Sequence, residues 1–146
     1  MLLNDYYWYF DSALSNKVCN EIINLGIKKG QEPASINGLT KPSKKEVKDL
    51  KKARDEPYNN LNDKDLNGKI RKLSVTVSLS DPKDYEGGEL EFDCRNELFG
   101  KKKNILTCNQ IKPRGSIVVF PSFIWHRVKP IIKGTRYSLV LWNVGY

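Results

Sequence analysis

The chain has 146 residues, 25 of them Lys or Arg against 17 Asp or Glu, with a single His and a formal charge of +8. That is about one domain's length, with no apolar run near the roughly 20 residues of a membrane span and too few histidines and paired cysteines for a zinc finger. Cys19, Cys94 and Cys108 are odd in number and lack CxxC spacing, which argues against a disulfide framework and for a reducing compartment, so a cytoplasmic location in the producing or infected cell is expected.

The opening "MLLNDYYWYF" lacks a basic flank and a small-residue cleavage site, and no secretory leader is expected. Its aromatic run at 6–10 reads as a short strand. A helix is predicted over 16–25, with Ser15 as N-cap, an apolar stripe of Val18, Ile22 and Leu25, and Gly26 as the C-terminal stop. Residues 27–42 carry Gly30, Pro33, Gly38 and Pro42 and read as a loop. "SKKEVKDLKKA", 43–53, pairs Ser43 with Glu46 as a capping box and predicts a second, mostly exposed helix. Residues 55–69 are polar, rich in Asn and Asp, and read as a loop.

From residue 70 the period becomes two. "RKLSVTVSLS" alternates Leu73, Val75, Val77 and Leu79 with Ser74, Thr76, Ser78 and Ser80, a half-buried strand. Its second face is hydroxylated rather than charged, which suits a polar cavity at least as well as open solvent. "GELEFD" is a further short strand, "LFGKKKNILT" a basic hairpin-like tip, and "NQIKPRGSIVVFPS" a turn at 113–115 followed by a strand. "FIWHRVKPI" and "KGTRYSLVLWNV" supply two more strands, the last with Arg136, Ser138, Val140 and Trp142 on one face. Helices first and then six or seven short strands predict a mainly β sandwich, jelly roll or barrel.

Much of the positive charge lies at 41–54 and 101–103. Solvated surface is the ordinary meaning of such runs, and no aromatic residues alternate with the lysines as a stacking platform for single strands requires. A lone histidine is usually structural. His126, however, follows the strand-ending Pro121 and Ser122, and Arg136 comes ten residues later past a Gly-Thr turn. Antiparallel pairing of 124–130 with 136–144 about the 133–135 turn would place both on one sheet, facing one cavity. A fixed cation beside a neutral imidazole suits a small dicarboxylate that also ligates a metal.

"SVTVSLSDPKDYEGGELEF" followed by "PRGSIVVFPSFIWHRVKPIIKGTRYSLVLW" resembles the prolyl 4-hydroxylase-like branch of the iron(II)/2-oxoglutarate dioxygenases, notably small bacterial and phage members. The resemblance spans about residues 70–144, and more weakly "YWYFDSALSNKVCNEII". It implies a double-stranded β-helix, or jelly roll, as a single domain over 1–146. It also implies Fe(II), 2-oxoglutarate as co-substrate, O2, and ascorbate as auxiliary reductant. His126 falls at the distal metal ligand and Arg136 at the cation for the far carboxylate of 2-oxoglutarate. Ser74 falls at the hydroxyl partner of that carboxylate and Trp142 at a cavity-facing aromatic position. Gly87 and Gly88 fit a tight turn against the cavity, or equally a plain hairpin turn. The expected partner is a peptide or protein containing proline, with no membrane, and with nucleic acid only as the weakest alternative.

The departures are as informative. The family's His-x-Asp pair precedes the 71–80 strand, and here its first histidine is absent. The nearest counterpart is "ARD", 53–55, with Asp55 as the surviving carboxylate or an ordinary loop aspartate, and Asp63 and Asp65 as weaker alternatives. Ser78 stands where many members have a cavity tyrosine. The family also has more chain before this point, which either a deletion or a missing stretch near 50–58 would explain. Three classes of function stay open on the sequence: a hydroxylase, a catalytically inactive jelly-roll binding module, and a basic nucleic-acid-associated protein.

Overall fold

The computed structural model describes residues 7–30, 69–93 and 105–146. The second predicted helix, Asp55, Asp63, Asp65, Cys94 and the chain near 50–58 lie outside those residues. What is described is mainly β with one helix. In chain order it comprises β1 (Trp8–Phe10), α1 (Asn16–Lys29), β2 (Ile70–Ser78), β3 (Tyr85–Gly87) and β4 (Leu90–Asp93). Then come β5 (Ile105–Thr107), β6 (Ile117–Pro121), β7 (Trp125–Val128), β8 (Ile131–Gly134) and β9 (Ser138–Gly145).

The period-two segment forms β2, with antiparallel neighbours on both sides in the order β1-β6-β2-β9. Because side chains alternate along a strand, register assigns its two faces. Ser74, Thr76 and Ser78 stand with Phe120 and Val118 of β6 and with Trp142, Val140 and Ser138 of β9. Val75 and Val77 stand on the opposite face with Ile117 and Leu139. That second face is covered by α1: Cys19, Val77 and Leu79 form a cluster against Leu14, Ile22, Ile23, Ile117 and Leu139. The hydroxylated face turns inward, toward a three-stranded sheet ordered β5-β4-β7. Tyr7, Leu90, Phe92, Val118, Phe120 and Ile124 close the core between the two sheets. A two-stranded sheet, β3-β8, completes the fold.

Two expectations are corrected. The helix does not stop at Gly26 but runs to Lys29, capped by Gly30 at φ +91° with its N–H donating to the Ile27 carbonyl. Ile22 and Ile23 carry the apolar stripe, and four further residues continue the hydrogen-bond ladder through Gly26, so the glycine sits inside the helix. A Cβ at Gly26 would meet no atom within 4 Å. Gly26→Ala is therefore expected to stabilise the protein by about 0.5–1 kcal/mol, the helix-interior difference between the two residues, measured as a rise in the chemical-denaturation midpoint.

The second correction concerns pairing. The strand with His126 does not pair with the strand that follows Arg136. β7 pairs β4, whereas β9 pairs β2. Between them the chain crosses from one sheet to the other, and on the way β8 pairs β3. Pro130 lacks an N–H, so it cannot continue the β7 ladder as a donor. His126 thus lies on one sheet, whereas Arg136 lies in the segment just before β9, a strand of the other.

Candidate active site

His126 stands directly across from Phe92, on the face of β4–β7 that also presents Phe92 and Leu90 to the core. Its ring meets Phe120 edge-on, with centroids 4.7 Å apart and planes at 67°. Phe120 in turn is the cross-strand partner of Ser74. One imidazole nitrogen, Nδ1, lies 2.7 Å from the Ile124 carbonyl. A carbonyl only accepts, so this contact assigns the proton to Nδ1 and leaves the Nε2 lone pair available as a ligand. The side chain is exposed, at the mouth of the interior rather than at its floor.

Arg136 lies in the segment joining β8 to β9, at the opposite end of the hydroxylated face. Its Nη1 donates to Ser138 Oγ over a long 3.5 Å. Ser138 is the cross-strand partner of Ser78. The aliphatic stem of Arg136 rests on Gly88, where a Cβ would lie 3.0 Å from Arg136 Cδ. Among the described residues no carboxylate pairs with this half-buried guanidinium.

Ser74 is buried and its hydroxyl bonds that of Ser122 at 2.8 Å, tying the β6–β7 turn to β2. The register places it across from Trp142 and four residues from Ser78, so Ser74 belongs to the mouth rather than to the end where Arg136 sits. Trp142 is 53% exposed, with the Arg71 guanidinium carbon 4.0 Å from the centre of its ring. Arg71 reaches that face because a bulge between Arg71 and Leu73 resets the alternation of β2. Register places Ser74 and Trp142 on one face of the β2 sheet, with His126 of the facing sheet against Phe120 on that face and Arg136 beside Ser138 farther along it. Asp55 is not among the described residues.

The remaining titratable groups nearby have structural explanations. Glu91, on the outer face of β4, is held below the usual carboxylate range by its hydrogen bond from Lys129, with Arg127 adding to the effect against the opposing cost of burial. Burial pushes the Cys108 thiol up, so it is a protonated core group rather than a nucleophile. Among the described residues no group of three or more His, Cys, Asp or Glu could hold a metal ion. His126 is the one imidazole, and the described residues alone do not make a complete metal centre.

Residues 49–144 match the model of the 2OG-Fe(II) oxygenase superfamily, roughly two thirds of the chain. The chain belongs to this superfamily. Within it, the sequence is 40% identical over 71 residues to a PKHD-type hydroxylase of Pseudomonas fluorescens, covering 49% of this chain and 27% of that protein. It is 43% identical over 76 residues to a PKHD-type hydroxylase of Synechococcus sp. strain CC9902, covering 52% of this chain and 30% of that protein. The alignments thus span less than a third of these relatives' own length. In fold, the oxygenase chain is similar to the viral collagen prolyl hydroxylase of Paramecium bursaria Chlorella virus-1 in its 2OG complex. The TM-score is 0.57 at 22% identity, covering 98% of each chain. At that identity the likeness concerns the fold.

Two site residues escape sequence reading: Phe120, which supports the His126 ring, and Ser138, which meets Arg136. Phe120 lies in the resembling stretch but looks like any core strand residue. Ser138 is visible as one of a period-two set, but only the β2–β9 register shows that it faces Ser78.

Proposed function

We propose that this oxygenase-family protein is a hydroxylase that uses Fe(II), 2-oxoglutarate and O2, with a prolyl residue of a peptide or protein as substrate, in the cytoplasm of the producing or infected cell. The observation that carries it is the Arg136 guanidinium, without a carboxylate partner among the described residues, on the same interior surface as an imidazole whose Nε2 is left free. In this reading the interior is the lumen of a jelly roll. His126 would be a metal ligand through Nε2, and Asp55 the candidate carboxylate ligand. Arg136 would hold the far carboxylate of 2-oxoglutarate, with Ser74 and Trp142 lining the approach.

When bound, iron and 2-oxoglutarate together supply O2 activation for inserting oxygen into a C–H bond, with succinate and CO2 as co-products. The chain's own residues do the rest. Ile124 fixes the His126 tautomer, Phe120 fixes its ring plane, and the aromatic core at Phe92 and Phe120 excludes water from the space behind it. The names of the relatives and of the structural neighbour support hydroxylation, and the neighbour's name supports a prolyl target.

The test is succinate release from 2-oxoglutarate with added Fe(II) by wild type, His126→Ala and Arg136→Ala. Turnover is expected to fall at least about 100-fold in each variant, the scale set by losing a metal ligand or a bidentate anchor. Equal turnover in all three proteins would rule the assignment out. The single imidazole of the described residues favours a second reading, an inactive binding module of the same family. Calorimetric titration separates the two, since tight Mn(II) binding would exclude the module.

A further inference from the structure

Lys69, Arg71 and Lys72 come together where β2 begins, and the far end of β9 lies beside them, with Ile70 across from Gly145 and Arg71 across from Val144. Two of these cations sit over aromatic rings. The Arg71 guanidinium carbon is 4.0 Å from the centre of Trp142, and Lys69 Nζ is 5.5 Å from the centre of Tyr146. The two rings remain 53% and 86% exposed. Lys72 is the unpaired residue of the β2 bulge and is exposed. Its stem runs along Gly145, where a Cβ would lie 3.7 Å from Lys72 Cγ and 3.8 Å from its Cε. Among the described residues no carboxylate pairs with Lys69 or Lys72.

This basic strip is joined to the candidate active site through the backbone. The Lys72 carbonyl accepts from the Ser122 N–H at 3.0 Å, in the turn that carries the exposed Phe123 and leads into the strand of His126. Trp142 is the cross-strand partner of Ser74, whose hydroxyl bonds that of Ser122. From Trp142 to Tyr146 the chain advances about 13 Å at the usual rise of a strand. The strip therefore starts at the mouth and leads away from it by the length of about four residues of an extended peptide.

We propose that this strip docks acidic side chains of the substrate, which enters the site with carboxylates about three or four positions from the residue that is hydroxylated, on one side of it. This rests on the reading of the protein as a peptide hydroxylase. A lysine resting on a ring keeps its charge and has already lost part of its freedom, so ordering it against a carboxylate costs less. Phe123, Trp142 and Tyr146 offer apolar surface to the stems of the acidic residues. Single-stranded nucleic acid would need open ring faces for its bases and a longer run of phosphate contacts. Here the chain's own cations occupy one face of Trp142 and of Tyr146, and the charge complements a short acidic segment.

The experiment is fluorescence anisotropy with Mn(II) and 2-oxoglutarate present, using fluorescein-labelled peptides that contain one proline. Two glutamates stand at the third and fourth positions from it, on the N-terminal side in one peptide and on the C-terminal side in another. Each is compared with its glutamine counterpart. One of the two glutamate peptides is expected to bind about five-fold tighter than its counterpart at low salt, the scale of two partly exposed ion pairs, and the preference should shrink as salt is added. Lys69→Gln combined with Lys72→Gln should abolish it, and the corresponding pair of arginine substitutions should keep it. Lys72→Gln alone, at an exposed position that folding does not need, should reduce it.

A preference below two-fold for both glutamate peptides, or one that survives in the double glutamine variant, would overturn the proposal. So would tighter binding of a thymidine oligonucleotide of equal length than of either glutamate peptide. Peptides with alanine in place of proline separate this inference from the prolyl reading. If alanine and proline peptides bind alike while glutamate still outbinds glutamine, the prolyl target fails and the acidic strip stands. If proline is preferred and glutamate is not, the strip alone falls.

Discussion

Replacing Phe92 with alanine is expected to destabilise the protein by about 3–5 kcal/mol, the usual cost of deleting a buried phenylalanine ring. Phe92 is 1% exposed and sits where three elements meet. Its ring stacks on Tyr7 with centroids 5.2 Å apart and meets Phe120 edge-on at 4.9 Å. On its own sheet it stands between Leu106 and His126. The Tyr7 hydroxyl is anchored to Gln110 Oε1 at 2.9 Å, so that ring is not free to follow into the vacated space. The cavity therefore collapses poorly, and the cost falls toward the upper part of the range.

At about 3–4 °C per kcal/mol for a chain of this size, the melting temperature should drop by about 10–20 °C. Phe92→Leu keeps most of the volume and should cost less than half as much. Phe92→Ala also removes the edge contact on Phe120, the ring that meets His126. A melting temperature of Phe92→Ala within 3 °C of wild type would show that the two sheets do not share this core.

A second large effect is expected at Glu91, and it depends on pH. Glu91 is opposite Arg127 across the β4–β7 ladder, its side chain 6% exposed. Arg127 donates through Nε at 2.7 Å and Nη2 at 2.6 Å to one carboxylate oxygen, and Lys129 Nζ lies 3.0 Å from the other. Removing one member of a buried pair ordinarily costs 3–5 kcal/mol. The side chains of Arg127 and Lys129 remain 51% and 43% exposed, so water can solvate the cations left behind. A loss of about 2 kcal/mol for Glu91→Gln at pH 7 is the resulting expectation, between the surface and buried limits.

The folded state holds the Glu91 carboxyl below its ordinary value. Its contribution is therefore complete above the unfolded-state pKa, about 4.3, and disappears as pH falls through the lower folded-state value. Wild type and Glu91→Gln should differ at pH 7 and converge in acid, measured by urea denaturation at a series of pH values. A difference that stays constant down to acid would place the carboxylate's effect in packing rather than in charge.

How much of this was legible in the sequence can be told residue by residue. The strict alternation from Leu73 to Ser80 marked β2 and its hydroxylated face, because side-chain direction along a strand is a local property. Ser15 announced the start of α1 for the same reason: capping involves a side chain and a backbone N–H three residues on, here Ser15 Oγ and Val18 N–H at 3.3 Å. The spacing of His126, Arg136 and Trp142, set among "LSDP", "YEGG" and "FPS", carried the family resemblance. Tertiary structure alone decided the rest. Strand partners are set by which apolar faces find each other over long sequence separations, so β7 joined β4 rather than the strand that follows it. That choice left His126 on β7 and Arg136 in the segment before β9, instead of on paired strands of one sheet. Likewise, Ser74 and Ser78 look alike in sequence, and only the tertiary structure tied the Ser74 hydroxyl to Ser122 and left the buried Ser78 hydroxyl without a hydrogen-bond partner among the described residues.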